Sequence, residues 1–371
     1  MIGIENIDYL SNQLITYIGN KRSLLGHIGK AVTQVKKRIG KSHLRVFDAF
    51  SGSGIVSRLM KAHASYLASN DFEDYAASIS RCYLQNRSSV DLTTIARIVE
   101  ELNNRVDEPT SKGFIEKLYS PEDESRITQS DRVFYTCDNA RRLDNYRRMI
   151  EDYPASFRDS LLGPLLSKAS IHSNTSGIFK GFYKNKLTGI GHYGGTNSNA
   201  LSRIKGRIEL EPPVLSQFEC DYEVYHDDTN KIASQIKELD LTYIDPPYNQ
   251  HPYGSNYFML NLLVHYKEPT DISRVSGIPK NWKRSGYNVQ TKSKELFNEL
   301  LHTIDTRFFL ISFNNEGFIS PDEIRTMLQK IGSVDEFEIR YNTFRGSRNL
   351  RNRDIHVTEQ LFLVERKLNG K

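Results

Sequence analysis

The chain has 371 residues, of which 38% are hydrophobic and 26% charged, and a formal net charge of +5. That length suits one large domain or two smaller ones, and the composition excludes a disordered or low-complexity protein. The positive balance fits a polyanionic partner and fits an ordinary enzyme equally well. Cys82, Cys137 and Cys220 are scattered, odd in number and in no zinc spacing. They read as reduced thiols of a cytoplasmic protein, with no metal site expected. The first residues, MIGIENIDYLSNQ, carry no basic region followed by an apolar run, and no stretch approaches 18 apolar residues. Neither a signal peptide nor a membrane partner is expected.

In chain order, TYIGNKRSLLGHI (16–28) reads as a turn that opens an amphipathic helix. LRVFDAF (44–50) reads as a buried strand, SGSG (51–54) as a turn, IVSRLMKAHA as a helix, and SYLASND (65–71) as a second strand ending in an acid. This is the βαβ layout of a doubly wound sheet. Residues 74–105 have helical spacing. Residues 106–220 are polar and poor in strand pattern, and ARRLDNYRRMI (140–150) within them reads as a structural amphipathic helix. Strand alternation returns at CDYEVYHDD (220–228). A helix (229–239) follows, and then the strand LTYIDPPYNQ (241–250). TRFFLISFNN (306–315) is another buried strand, and VDEFEIRYN (334–342) and HVTEQLFLVER (356–366) read as a final antiparallel pair. The expected architecture is one α/β sheet domain, formed by 1–105 and 221–371 and interrupted by an insertion at 106–220.

Two stretches carry chemistry. In FDAFSGSG (47–54), glycines at a strand-to-helix turn permit close backbone approach to a ligand and leave amides free at a helix start. The spacing is not GxGxxG, so the dinucleotide fingerprint is not met. Asp71, about twenty residues on, can accept hydrogen bonds from a ribose diol. The second stretch is DPPY. Chance produces it in roughly one chain in a thousand of this length and Pro content. Two prolines end the strand and stiffen the corner. Asp245 and the Pro246 carbonyl offer two acceptors, and the Tyr248 ring offers a flat face. Together they suit a planar amine.

FDAFSGSG, then Asp71, then IDPPY, with IGNK before them and a long insertion between, resembles the Dam-like (α-group) N6-adenine DNA methyltransferases. SFNNEG (312–317) and FRGSRNLRNRDIHVTEQLFLVER (344–366) resemble their late segments. The resemblance implies a Rossmann-like class I methyltransferase sheet, mostly parallel with an antiparallel C-terminal strand, plus an inserted DNA-recognition region. It implies S-adenosylmethionine as cofactor, contacted by Phe50, Ser51, Gly52 and Gly54, with Asp71 on its ribose. Tyr17, Gly19 and Lys21 cover its methionine end, and Asp227 or Asp228 meets its adenine. Asp245, Pro246, Pro247 and Tyr248 form the catalytic corner for an adenine flipped out of double-stranded DNA. A cognate restriction endonuclease is an implied partner.

Three basic stretches are candidates for DNA contact. The first is 179–207, with Lys180, Lys184, Lys186, Arg203, Lys205 and Arg207. The second is 281–294, with Lys283 and Arg284, and the third is 344–353, with Arg345 and Arg348. Tyr253 and Tyr257 lie in a stretch that could close over a flipped base, or simply pack. An RNA adenine methyltransferase and a DNA-binding regulator that keeps the fold are the alternatives.

Overall fold

A computed structural model describes residues 5–195, 198–314, 317–342 and 356–367. Its sheet has seven strands: β1 (Leu44–Asp48), β2 (Ala64–Asn70), β3 (Asp221–Tyr225), β4 (Leu239–Ile244), β5 (Thr306–Asn314), β6 (Gly332–Asn342) and β7 (His356–Arg366). Their spatial order is β3-β2-β1-β4-β5-β7-β6. The pairs β2–β3, β1–β2, β1–β4 and β4–β5 are parallel, and β7 is antiparallel to both β5 and β6. The sheet is mostly parallel with an antiparallel C-terminal strand, as expected. The chain runs outward from β1 in one direction and from β4 in the other. The crevice above their carboxyl ends is therefore the topological switch point, where such sheets bind ligands.

The strands alternate as period-2 elements. Leu241, Tyr243, Phe308, Leu310, Leu361 and Leu363 face one core, filled by Ile28, Val32 and Val35 of the helix Leu25–Ile39. Ile244, Phe309, Ile311, Phe313, Phe362 and Val364 face the other, with Phe297, Leu300 and Leu301 of the helix Gln290–Thr303 and Ile324 and Leu328 of the helix Pro321–Ile331. All six β4 residues are buried, as a central parallel strand requires.

Two helices are shorter than their sequence pattern predicts. Residues 74–105 form helices Asp74–Tyr83 and Leu92–Arg105, separated by a 3-10 turn. The helix at 229 ends at Ile232, and the chain turns at Glu238 (φ 58°) before entering β4.

The segment 106–220 holds the helices Phe114–Tyr119, Cys137–Glu151, Ala155–Ile171 and Leu201–Lys205, joined by long loops. Its buried side chains form one core with Tyr75, Ile79 and Cys82 of helix 74–83, Ile95, Ile98 and Leu102 of helix 92–105, and Phe258 and Leu263 of the helix Phe258–His265. The insertion therefore shares its core with elements on both sides of its boundaries. ARRLDNYRRMI lies inside this layer. Arg142 donates to the Ile208 carbonyl at 2.7 Å and pairs with Asp107, and Arg147 donates to the Leu263 carbonyl at 2.7 Å. No helix among the described residues is long and apolar enough to cross a membrane.

Candidate active site

β1 and β4 end side by side, and both lead straight into the site. After β1 the loop 49–54 folds over the sheet edge. The Ser51 amide donates to the Asn70 carbonyl at 2.9 Å, and the Gly52 amide to the Asp71 carboxylate at 2.7 Å. Gly52 and Gly54 hold φ of 52° and 74°, a region glycine enters without penalty. Gly54 caps the helix Ile55–Lys61. Asp71 also accepts from the Glu73 amide at 2.9 Å. Burial pushes its carboxyl up to about 6, against these backbone donors. Asp71 thus ties the glycine loop to β2, and its remaining lone pairs face the cleft.

The cleft encloses about 840 Å³, counting space open to solvent. Tyr17, Gly19, Lys21, Phe50, Ser51, Gly52, Asp71, Asp228, Asp245, Pro246, Pro247, Tyr248 and Tyr253 all line it. The structure thereby brings together most of the cofactor and catalytic candidates in one crevice. Gly54 sits behind the loop. Of the two adjacent acids, Asp228 lines the cleft, while Asp227 faces Lys231 at 3.3 Å. Among the described lining residues Lys21 is the single Lys or Arg, against the acids Asp71, Glu73, Asp228 and Asp245. A wall so rich in acids suits a cationic sulfonium ligand. The glycine turn gives that ligand a backbone surface with no side chain in the way. S-adenosylmethionine fits this donor set.

At the β4 end, Asp245 keeps 17% of its side chain exposed toward the cleft. Lys21 Nζ lies 3.1 Å from Asp245 Oδ1 and 2.8 Å from Glu359 Oε1. Burial raises the Asp245 carboxyl to about 7; Lys21 opposes the rise and Glu359 adds to it. Burial works against the Lys21 ammonium, but Asp245 and Glu359 together outweigh it and hold it well above an ordinary lysine. Tyr248 is fixed from three sides. Its hydroxyl accepts from Asn314 at 2.9 Å, its carbonyl accepts from the Phe318 amide at 2.8 Å, and its ring packs on Phe313 at 5.3 Å. Tyr17 stacks on Tyr253 at 5.1 Å and on Tyr257 at 5.1 Å, forming an aromatic rack beside Gly52.

Several residues of the site have no local motif. Glu73 lines the cleft, accepts from Asn261 at 2.8 Å, and is raised by burial to about 7. Tyr287 meets Phe50 edge-on at 5.1 Å, and Asn288 donates to the Asn249 carbonyl at 2.7 Å. The loop 281–289, expected as a DNA-contacting stretch, therefore also walls the cleft. Glu359 and its partner Ser312 (2.5 Å) come from β7 and β5.

The candidates for DNA contact divide. Lys180, Lys186 and Lys205 are exposed, and Lys184 lies half-buried over the Phe182 ring at 4.4 Å. Arg284 and Lys283 are exposed, although Lys283 pairs with Asp74 at 3.3 Å. Arg207 pairs with Asp107. Two of the candidates are engaged within the chain. Arg203 donates from its guanidinium to the carbonyls of Ile171, Ser173 (2.9 Å) and Thr175 (3.2 Å), which ties it to the chain. Tyr257 is fully buried, and its hydroxyl accepts from the Ile18 amide at 2.8 Å. It packs within the rack. Arg345 and Arg348 lie outside the described residues.

The chain is similar to several known proteins. The chain is 27% identical to the Type II methyltransferase M.NlaIII of Neisseria lactamica, over 95% of this chain and 99% of that protein. It is also 27% identical to the Type II methyltransferase M.CviAII of Paramecium bursaria Chlorella virus 1, over 94% of this chain and 98% of that protein. The modification methylase StsI of Streptococcus sanguinis matches at 27% identity over 95% of this chain and 52% of its own length. A solved structure of a putative class I S-adenosylmethionine-dependent methyltransferase from Listeria monocytogenes aligns with a TM-score of 0.35 and 8% identity, over all of this chain and 64% of that one. The family model of the D12 class matches residues 17–327. That span includes the glycine turn, Asp71 and the Asp-Pro-Pro-Tyr corner, and the chain belongs to the D12 class of N6 adenine-specific DNA methyltransferases.

Proposed function

We propose that this protein transfers a methyl group from S-adenosylmethionine to the N6 amine of an adenine flipped out of a specific double-stranded DNA sequence. It would act as the modification component of a restriction–modification system, alongside a cognate endonuclease. One observation carries the reading: the Asp245–Tyr248 corner and the glycine loop open into the same cleft.

The cofactor, when bound, supplies an electrophilic methyl group. The residues of the chain supply alignment. An exocyclic adenine amine is a poor nucleophile because its lone pair is delocalised into the ring. Asp245 and the Pro246 carbonyl would accept its two N–H bonds, favouring a pyramidal nitrogen with the lone pair aimed at the methyl carbon. The Asp245 carboxylate also stabilises positive charge as it develops on nitrogen. Tyr248, fixed from three sides, would stack beneath the base and offset part of the few kcal/mol that flipping costs. Asp71 and Glu73 would take the ribose hydroxyls, Asp228 the cofactor adenine, and Tyr17 and Gly19 the methionine end. No covalent intermediate is required, in keeping with Cys82 and Cys220 being buried away from the cleft.

The test is methyl transfer from labelled S-adenosylmethionine to unmethylated duplex DNA, followed by digestion to nucleosides. Labelled N6-methyladenine is expected. Label in structured RNA and none in DNA would overturn the substrate. Transfer surviving in Asp245→Ala would overturn the corner.

A further inference from the structure

A chain of buried oxygens runs from the end of β1 to the cleft. Asp48 has no exposed surface, and its Oδ2 lies 2.5 Å from Ser57 Oγ on the helix Ile55–Lys61. Ser57 Oγ is 3.0 Å from Ser69 Oγ of β2. Ser69 donates to Ser80 Oγ of helix 74–83 at 3.3 Å, and Ser80 Oγ is 3.4 Å from Ser51 Oγ of the glycine loop. All four serines are buried, and of the four Ser51 lines the cleft. A serine hydroxyl has one proton to give. The Ser69 proton goes to Ser80, so the Ser57–Ser69 contact needs the Ser57 proton. Were Asp48 ionised, Ser57 would give that proton to the carboxylate and face Ser69 with no proton between them. All the contacts are hydrogen bonds at once only if Asp48 itself carries a proton and donates to Ser57. Its other oxygen, Oδ1, is buried without a hydrogen-bond partner among the described residues, which costs an anion far more than a neutral acid.

We propose that Asp48 is held as a neutral acid and is a positioning residue for the cofactor: through Ser57, Ser69 and Ser80, its proton turns the Ser51 hydroxyl outward as a donor into the cleft. The inference rests on the reading of that cleft as an S-adenosylmethionine site. When Asp48 donates to Ser57, each serine donates to the next, and the Ser51 proton is free for a ligand. When Asp48 is ionised it draws the Ser57 proton back, the chain reverses, and Ser51 gives its proton to Ser80 instead. A wall that holds Asp71, Glu73, Asp228 and Asp245 is short of donors for the acceptor oxygens of S-adenosylmethionine. An outward hydroxyl on the glycine loop meets that need. The groups around Asp48 favour its neutral form. Burial pushes its carboxyl up to about 7 and Asp71, beyond β2, adds to the rise; the Ser57 hydroxyl and the amides of Phe50 and Ser57 oppose it. Asp245, beyond β4, is the other acid that faces it.

The experiment compares the full chain with Asp48→Asn and Ser80→Ala. The Asp48 carboxyl is followed by carbon-13 NMR of aspartate-labelled protein without ligand, and assigned by its loss in Asp48→Asn. It should be protonated at pH 6 and titrate near 7. A carboxyl already ionised at pH 6 would overturn the proposal. Calorimetric titration with S-adenosylmethionine, in two buffers of different ionisation heat, then counts the protons taken up on binding at pH 8. Wild-type protein should take up about one proton more than Asp48→Asn, whose amide donates to Ser57 at every pH. Wild-type affinity should also fall by up to about tenfold for each pH unit above the midpoint, and Asp48→Asn should lose that part of the fall. Ser80→Ala keeps the acid and cuts the chain, so its carboxyl should still titrate while its proton uptake matches that of Asp48→Asn. Asp71, Glu73 and Asp245 are present in all three proteins, so the difference isolates Asp48. Equal uptake in wild type and either variant would leave Asp48 a structural acid and overturn the proposal. If Asp48→Asn does not fold, wild type against Ser80→Ala decides. A wild-type protein that binds no S-adenosylmethionine would overturn the cofactor reading, and the carboxyl resonance, read without ligand, tells the two failures apart.

Discussion

Gly52 and Tyr17 leave no space between them: a Cβ on Gly52 would lie 2.8 Å from the Tyr17 hydroxyl and 2.9 Å from its ring. The φ of 52° would add backbone strain of about 1–3 kcal/mol in a non-glycine residue. Gly52→Ala should therefore displace the loop or the aromatic rack. Calorimetric titration with S-adenosylmethionine should show affinity reduced about tenfold or more. Unchanged affinity would remove this loop from the cofactor site.

The pH dependence of turnover should follow Asp245. Its carboxyl must be ionised to accept from an amine, and burial raises it to about 7, with Lys21 opposing and Glu359 adding. Protonation as pH falls through that value should give kcat an acid limb near neutrality, not near pH 4. Asp245→Asn should cut kcat by about a hundredfold or more while leaving cofactor binding intact. Turnover from pH 5 to 9 in both proteins is the check. A flat wild-type profile down to pH 5 would contradict the raised carboxyl.

Gly163 of helix 155–171 lies against Cys82 of helix 74–83. A Cβ there would be 2.5 Å from the Cys82 sulfur and 2.6 Å from its Cβ. Gly163→Val should cost about 1–3 kcal/mol by overpacking. Because the two helices share one core, thermal denaturation should remain a single transition at lower temperature. A separate early transition for the insertion would show that it folds as an independent unit.

Tyr257→Phe tests whether that residue packs or meets DNA. It removes the acceptor for the Ile18 amide and leaves the ring stack. An unsatisfied buried donor costs about 1–3 kcal/mol. Stability should fall while DNA affinity, measured by fluorescence anisotropy, changes less than about twofold. A large loss of DNA affinity at unchanged stability would return Tyr257 to the DNA surface.

Lys180 and Lys186 are exposed. If each neutralises one phosphate, the dependence of log affinity on log salt should flatten by about one for each substitution to alanine. Arg203→Ala should instead act on stability, because its guanidinium is committed to carbonyls. An unaltered salt slope in the lysine variants would take the 180–186 loop off the DNA.

What the sequence made legible was local. The β1 glycine turn, the acid after β2 and the proline-stiffened end of β4 are all set by adjacent residues, and the parallel strands have strong apolar runs. Glu359 was illegible because a single acid in the polar first half of HVTEQLFLVER carries no motif, although it shares a face with Leu361 and Leu363. Only its pairing opposite Asn314 of β5 turns it toward Lys21. Tyr287 and Asn288 were hidden in a basic loop whose closure on the cleft depends on contacts with Phe50 and Asn249. Arg203 and Tyr257 have the residue types of a DNA surface, and nothing beside them in the chain reveals the carbonyls and rings that occupy them.

The Lys21–Glu359 contact also has a consequence for synthesis. A ribosome-bound chain that has already emerged past Asp-Pro-Pro-Tyr still lacks β7, so its Asp245 carboxylate has a lysine neighbour that is itself not yet held. The corner closes only when segments 338 residues apart meet, a late and slow class of contact. Partly made protein would carry the glycine loop and be able to engage cofactor, yet would present an unfinished corner to DNA. Competence for methylation should thus appear abruptly, with the last strand.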